Sequence, residues 1–313
     1  MDKQNIFKRA FNTLWQNPII VKELRSRMRR KRSYVILTLF LIFSAGIVSL
    51  VYFGVAGTND FYPDPDVRRT LGQAIFLTVV LLQLGAVNFV TPAFTAGSIA
   101  SERENQTYDL LRTTPVSAKD IVRGKLLSGL LFTLLLLIAT IPMQSMAFLF
   151  GGIELPELII ATLMIVVTAT VFSAVGIYAS TLLKRSVPAT ILAYAITNGG
   201  IIILPLLFAI IGTLFPYAID SLDAFAPEKN IVGFFIAATM LWILASSNPV
   251  IAAAISEALL LEEGVLFFWV QDINPTLKVY IPSPWMGFVV INLFIAWLFY
   301  QGAIRRVSRR EKQ

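Results

Sequence analysis

The chain has 313 residues, 56% of them hydrophobic and only 14% charged, with no cysteine and no histidine. Soluble domains carry about 25% charged residues, so this composition describes a chain that crosses a membrane several times, and no hydrophilic stretch is long enough to build a separate soluble domain. The missing residue types exclude disulfides, thiol nucleophiles, thiolate metal sites, the commonest general base and the usual zinc and haem ligands. The net charge of +7 therefore has to be read through its placement.

Residues 1–33 form an amphipathic and basic leader. Ile6, Phe7, Ala10, Phe11, Leu14 and Trp15 fall on one helical face, with Lys3, Lys8, Arg9, Asn12 and Gln16 elsewhere, the pattern of a helix lying in the membrane interface. Asn17 is placed to cap a following helix with Pro18 in its first turn. Lys22, Arg25, Arg27, Arg29, Arg30, Lys31 and Arg32 then stand against a single acid, Glu23. Such a cluster beside a membrane span favours anionic lipid by ~1 kcal/mol per charge and holds its end in the cytoplasm. Its position excludes a nucleic-acid partner as the natural reading, and the basic leader does not fit a cleaved signal peptide.

The apolar runs that follow are long enough to cross. They predict spans at about 34–55, 71–99, 121–150, 158–183, 187–214 and 284–303, within a transmembrane domain of 34–303 and ahead of a basic tail at 304–313. The run from 71 to 99 is longer than a crossing needs, so a kink near Pro92 or an extension toward Glu102 must absorb the excess. Pro142 predicts a second kink, and Lys184-Arg185 marks an inner loop. Between 215 and 283 the reading is open. Asn248-Pro249 divides an apolar pair, 231–261, that is either a seventh crossing or a re-entrant hairpin on the outer side. With six spans only Arg68, Arg69, Lys229 and Lys278 fall outside. With seven, Lys278 moves inward but all five basic residues of the tail move out, so charge asymmetry favours six.

The segment Ser98–Lys125 interrupts this pattern. It is too charged for lipid, where one central Asp, Arg or Lys costs ~3 kcal/mol. Glu102 to Arg112 has good helix formers, with Thr107, Leu110 and Leu111 at helical spacing. Thr114-Pro115 stops that helix, and Ser117 with Asp120 starts the next as an S-x-x-D box. The expectation is a short helix at 102–115, held at the water boundary between two spans and offering a few apolar side chains to a soluble partner.

The run E-R-E-x-x-T-x-x-L-L-x-T-T-P-x-S, ending in Gly124-Lys125, resembles the coupling-helix region of ABC transporter permeases of the ABC-2 exporter class. Asn17-Pro18 followed by Val21-Lys22-Glu23-Leu24-Arg25 and the basic run is a second point of resemblance. The resemblance implies an all-α polytopic membrane protein: six transmembrane helices, an N-terminal amphipathic interfacial helix, a cytoplasmic coupling helix and an external re-entrant hairpin before the last span. It implies a multi-pass protein of the plasma (inner) membrane with both termini cytoplasmic. Its partners would be two ABC ATP-binding subunits, a second permease chain and membrane lipid. ATP and Mg would belong to the partner ATPase, with no cofactor in this chain. Leu110 and Leu111 would fill a groove of the ATPase, Glu102, Glu104, Asp109 and Arg112 would set register, Thr107 would belong to the same docking surface, and Thr114 and Pro115 would keep the element bent. The function implied is a permease subunit, an exporter, coupling ATP hydrolysis elsewhere to translocation of a substrate that the motifs do not specify.

The residues themselves agree that energy comes from outside. No G-x-x-x-x-G-K-[ST] phosphate loop occurs, and the apolar interiors of the spans hold no acid or base of the kind that ion-coupled carriers use as relays. Gln83, Asn88, Gln144 and Asn198, with Asn292, either line a translocation path or hydrogen-bond between helices. The competing functions are a membrane anchor that transmits ATPase motion without moving cargo, and an ion-coupled carrier.

Overall fold

The computed structural model describes residues 21–23, 25, 29, 31–56, 65–108, 117–222, 231–274 and 277–311. The leader helix at 3–16, its Asn17-Pro18 junction and residues 109–116 of the polar interruption lie outside the described residues. Among the described residues, nine helices and one hairpin follow in order. They are α1 (Lys31–Ala56), α2 (Pro65–Glu104), α3 (Ala118–Ala139), α4 (Ile141–Leu149), α5 (Leu155–Leu182), α6 (Ser186–Leu222), α7 (Ile231–Ser247), α8 (Pro249–Glu263), β1 (Phe268–Asn274), β2 (Leu277–Pro282) and α9 (Pro284–Glu311). The chain is an all-α polytopic membrane protein to which this one small hairpin is added.

Among the described residues, six helical stretches are long and apolar enough to cross a bilayer: Ser33–Val55, Val67–Glu104, Ala118–Leu149, Leu155–Leu182, Ser186–Ile211 and Pro284–Arg309. Hydrocarbon offers no partner to a backbone N–H or C=O, so each crossing has to be a helix that satisfies itself. Prolines stand in the opening turns of α2, α4, α5, α6, α8 and α9, where the missing N–H does no harm, whereas Pro205 and Pro216 interrupt the ladder inside α6. The third crossing is broken at Thr140, which closes α3 and opens α4 two residues before Pro142. α2 has 40 residues, about 60 Å, twice the ~30 Å of a hydrocarbon core. It carries Pro92 inside it and runs on without interruption to Glu104.

The contacts divide the chain into two units: residues 1–159, 169–194 and 296–313 in one, and residues 160–168 and 195–295 in the other. In the first, α2 meets α3 and α5 at small residues. Thr95 lies against Gly129 and Gly176, and a Cβ on either glycine would fall well inside van der Waals contact with the threonine side chain. Thr95 cannot turn away easily, because its hydroxyl donates to the Thr91 carbonyl at 2.8 Å. Near the opposite end of α2, a Cβ on Gly72 would sit 2.9 Å from the Ala147 carbonyl oxygen and the Gly152 nitrogen. Close backbone approach through small residues is the ordinary way for helices to associate in lipid, where apolar burial gives no preference for protein over acyl chain.

The second unit is organised by a bend. α7 and α8 turn by 115° at their junction, and the fully buried Asn248 sits in it. Its side-chain oxygen accepts from the N–H groups of Val250 and Ile251, capping α8. Its amide nitrogen donates to the carbonyls of Gly200 and Ile201 on α6, both at 3.2 Å. Met164, Val167, Ala252 and Phe288 pack together nearby, and a Cβ on Gly287 would collide with Trp242 and Ser246.

The hairpin is a feature that sequence reading left unassigned. β1 and β2 pair antiparallel from Phe268–Pro282 to Asn274–Leu277, with an irregularity between Asp272 and Asn274. Two tryptophans tie it to its neighbours: Trp242 Nε1 donates to the Pro282 carbonyl at 2.7 Å and Trp285 Nε1 to the Leu266 carbonyl at 2.8 Å.

The Thr95 crossing yields a direct test. Gly176→Ala should lower stability by about 1–3 kcal/mol through overpacking, read as a lower Tm of the detergent-solubilised protein. Gly85→Ala, where a Cβ meets nothing within 4 Å, should leave Tm unchanged or slightly raised.

Candidate functional site

The described residues of the polar interruption, 98–108 and 117–125, belong to the end of the first unit where α2, α5 and α9 finish and α3 begins. Ile99, Tyr108, Ala118, Val122, Ile177, Ala303, Ile304 and Val307 form one buried cluster there. α2 closes with the hydrogen bonds of a Schellman stop. The Gln106 N–H donates to the Arg103 carbonyl at 3.1 Å and the Thr107 N–H to the Glu102 carbonyl at 2.8 Å. Gln106 takes the left-handed conformation, φ 57°, at a cost of about 1–2 kcal/mol for a residue with a Cβ. The Thr107 hydroxyl adds a bond to the Glu102 carbonyl at 3.2 Å.

This corrects the expected start of the short helix. Glu102, Arg103 and Glu104 are the last turn of α2, and the chain turns at 105–106 before Tyr108 enters the cluster, 8% exposed. The helix formers from 102 onward would have continued the helix on propensity alone; burying Tyr108 overrides them. Asp109, Leu110, Leu111, Arg112, Thr114 and Pro115 lie outside the described residues. On the far side, Ser117 caps α3, its hydroxyl oxygen accepting from the Asp120 N–H at 3.2 Å while the hydroxyl donates to the Asp120 carboxylate at 2.6 Å.

Each placed member of the expected site makes its polar contacts inside the chain. Lys125 is only 1% exposed, and its ammonium donates to Glu102 Oε1 at 2.7 Å and to the Ser98 carbonyl at 2.9 Å, with Glu23 Oε1 3.5 Å away. A lysine taken out of water needs such partners, because desolvation exceeds what a single ion pair returns. Glu104 Oε2 accepts from both the N–H and the hydroxyl of Ser186, at 3.0 and 2.6 Å, at the start of α6. Arg103, which the sequence reading did not single out, donates to the Thr181 carbonyl at 3.0 Å in the last turn of α5, with its guanidinium 4.9 Å from the centre of the Tyr108 ring. Ser180 Oγ accepts from the N–H groups of Ile99 and Ala100, both at 2.9 Å. Lys125, Arg103, Ser180 and Ser186 were thus missed. Gly124-Lys125 was visible as the end of the motif, and two hydroxyl residues flanking Lys184-Arg185 were the remaining trace.

Around this clasp the surface is basic. Lys119, Lys184, Arg185, Arg305, Arg306 and Arg309 are exposed, and Arg306 lies 5.6 Å over the Tyr178 ring.

The polar residues of the apolar region fall into separate places. Gln83 of α2 and Gln144 of α4 meet: the Gln144 amide donates to Gln83 Oε1 at 3.0 Å, and the Gln83 amide to Thr140 Oγ1 at 2.5 Å. These two amides are engaged with each other at the α3–α4 break, which is the interhelical use of such groups. Asn88 is buried further along α2. Asn198 is half-buried in the second unit, and Asn292 donates to the Phe288 carbonyl of its own helix.

Residues 17–296 match a family model described as ABC-2 family transporter protein. Comparison with curated proteins gives no match.

Lys125→Met should cost about 3 kcal/mol, because it strands the Glu102 carboxylate at 21% exposure. The double variant with Glu102→Gln should recover more than half of that loss. Thermal unfolding of the two variants in the same detergent measures both.

Proposed function

This chain belongs to the ABC-2 family of transporter proteins, and from that premise we propose that it is a permease subunit whose clasped end takes up motion from separate ATP-binding subunits in the cytoplasm. The single observation that carries the orientation is the gathering of exposed Lys119, Lys184, Arg185, Arg305, Arg306 and Arg309 around one end of the first unit. Basic residues at span ends are retained on the cytoplasmic side, so this end supports a cytoplasmic placement of both the α2–α3 connection and the C-terminal tail. The 115° bend between α7 and α8 supports a re-entrant hairpin over a seventh crossing, because a turn beyond a right angle returns the chain toward the side it came from.

In this reading residues 105–116, with Leu110 and Leu111 at their centre, dock in a groove of the ATPase. Asp109 and Arg112 set the register of docking, and Thr114-Pro115 bends the segment back toward α3. Glu102 and Glu104 hold the segment's base to the bundle. Two ATP-binding subunits and a second permease chain complete the assembly, and ATP with Mg binds in the ATPase subunits. The complex exports its cargo across the plasma membrane, with hydrolysis supplying the work. Asn88 is kept as a proposed polar group along the path, while Gln83 and Gln144, bonded to each other at the α3–α4 break, serve helix association.

Replacing Leu110 and Leu111 by Asp should abolish co-purification of the ATPase while the permease still inserts and keeps its Tm. A double variant that retained its ATPase at wild-type stoichiometry would overturn the docking assignment. ATP-dependent accumulation of cargo in sealed vesicles is the outcome that separates a permease from an anchor of the same fold.

A further inference from the structure

We infer that Arg103 and Glu104 are positioning residues that carry movement of the docking segment to the corner between α5 and α6, so that this segment drives four helices and not only the two it joins. The inference rests on the docking reading above and adds to it a second, non-covalent route.

The geometry is that of two helix ends capped from outside. α5 stops at Leu182 and α6 starts at Ser186, which leaves orphan carbonyls on one side of the corner and orphan N–H groups on the other. Adjacent residues of α2 fill both. Arg103 donates to the Thr181 carbonyl and Glu104 accepts from the Ser186 N–H and hydroxyl. The charges also match the helix dipoles, a cation at the C-terminus of α5 and an anion at the N-terminus of α6. Ser180, one residue before Thr181, holds the N–H groups of Ile99 and Ala100, and Ala96, Ala179 and Ala193 pack together behind it. The corner is thereby fixed to α2 at three successive levels.

The connection to the docking segment is equally short. Tyr108 immediately precedes residue 109, and its ring lies 4.9 Å from the same guanidinium that holds Thr181. A pull on the chain beyond Tyr108 therefore acts on Arg103 through the ring as well as through the backbone. Packed groups with two discrete arrangements are how such displacement travels between elements.

The absence of cysteine makes the test clean. A single cysteine placed at Lys184, exposed at the corner, and in a second protein at Lys119, exposed in the first turn of α3, each carries a spin label in the full permease–ATPase complex in lipid nanodiscs. Spectra are compared with and without ATP and vanadate. Both labels should respond in the otherwise wild-type complex. With Arg103→Met and Ser186→Ala together, ATPase binding and the Lys119 response should persist while the Lys184 response falls about fivefold or more. Should that pair not fold, Ser186→Ala alone, which removes the hydroxyl that donates to Glu104, should reduce the Lys184 response without affecting Lys119. An undiminished Lys184 response in a folded variant overturns the inference, as does a corner that never responds while Lys119 does. Failure of both labels, or loss of the ATPase from the wild-type complex, would instead sink the docking reading and the inference with it.

Discussion

A helix that ends inside a protein leaves peptide groups without partners, and the clasped end of the first unit is built around that constraint. There α2 and α5 stop and α3 and α6 start, each with donors or acceptors to satisfy. The last turn of α2 supplies most of what is needed: Glu102 to Lys125, Arg103 to Thr181, Glu104 to Ser186, and the backbone at 98–100 to Lys125 and Ser180. Because these bonds come from consecutive residues, they are coupled through one rigid turn. The left-handed Gln106 fixes where that turn ends and hence where the proposed docking segment leaves the bundle.

Away from this end, association rests on shape. Thr95 between Gly129 and Gly176, and Gly72 against Gly152, bring backbones close enough for dispersion to hold helices that have no hydrophobic reason to separate from lipid. The contrast between the two regions follows from their surroundings. Where water is near, ionic groups with good partners can be retained; in hydrocarbon only small side chains and self-satisfied amides such as Gln83 and Gln144 are inexpensive.

Much of the helical architecture was legible because lipid leaves the chain few choices. Long apolar runs have to be helices, proline marks their first turns, and Ser117 with Asp120 or Asn248 with Pro249 announces a new start in any context. What stayed hidden was set by tertiary contact. The run of helix formers from Glu102 gave no sign of a stop, since the stop depends on burying Tyr108 and uses glutamine where glycine is customary. Lys125 reads only as the end of a motif until its burial against Glu102 is seen. Ser180 and Ser186 are too common a residue type to attract notice. The strands at Phe268–Asn274 and Leu277–Pro282 alternate aromatic, β-branched and polar residues over too short a distance to stand out beside spans three times their length.

Asn248 has a mechanical consequence of its own. One amide both opens α8 and grips two successive carbonyls in the middle of α6. The elbow between α7 and α8 is therefore riveted to a neighbouring strut, and it cannot flex as an independent flap. Any rocking of that hairpin has to carry the waist of α6 along as a single body.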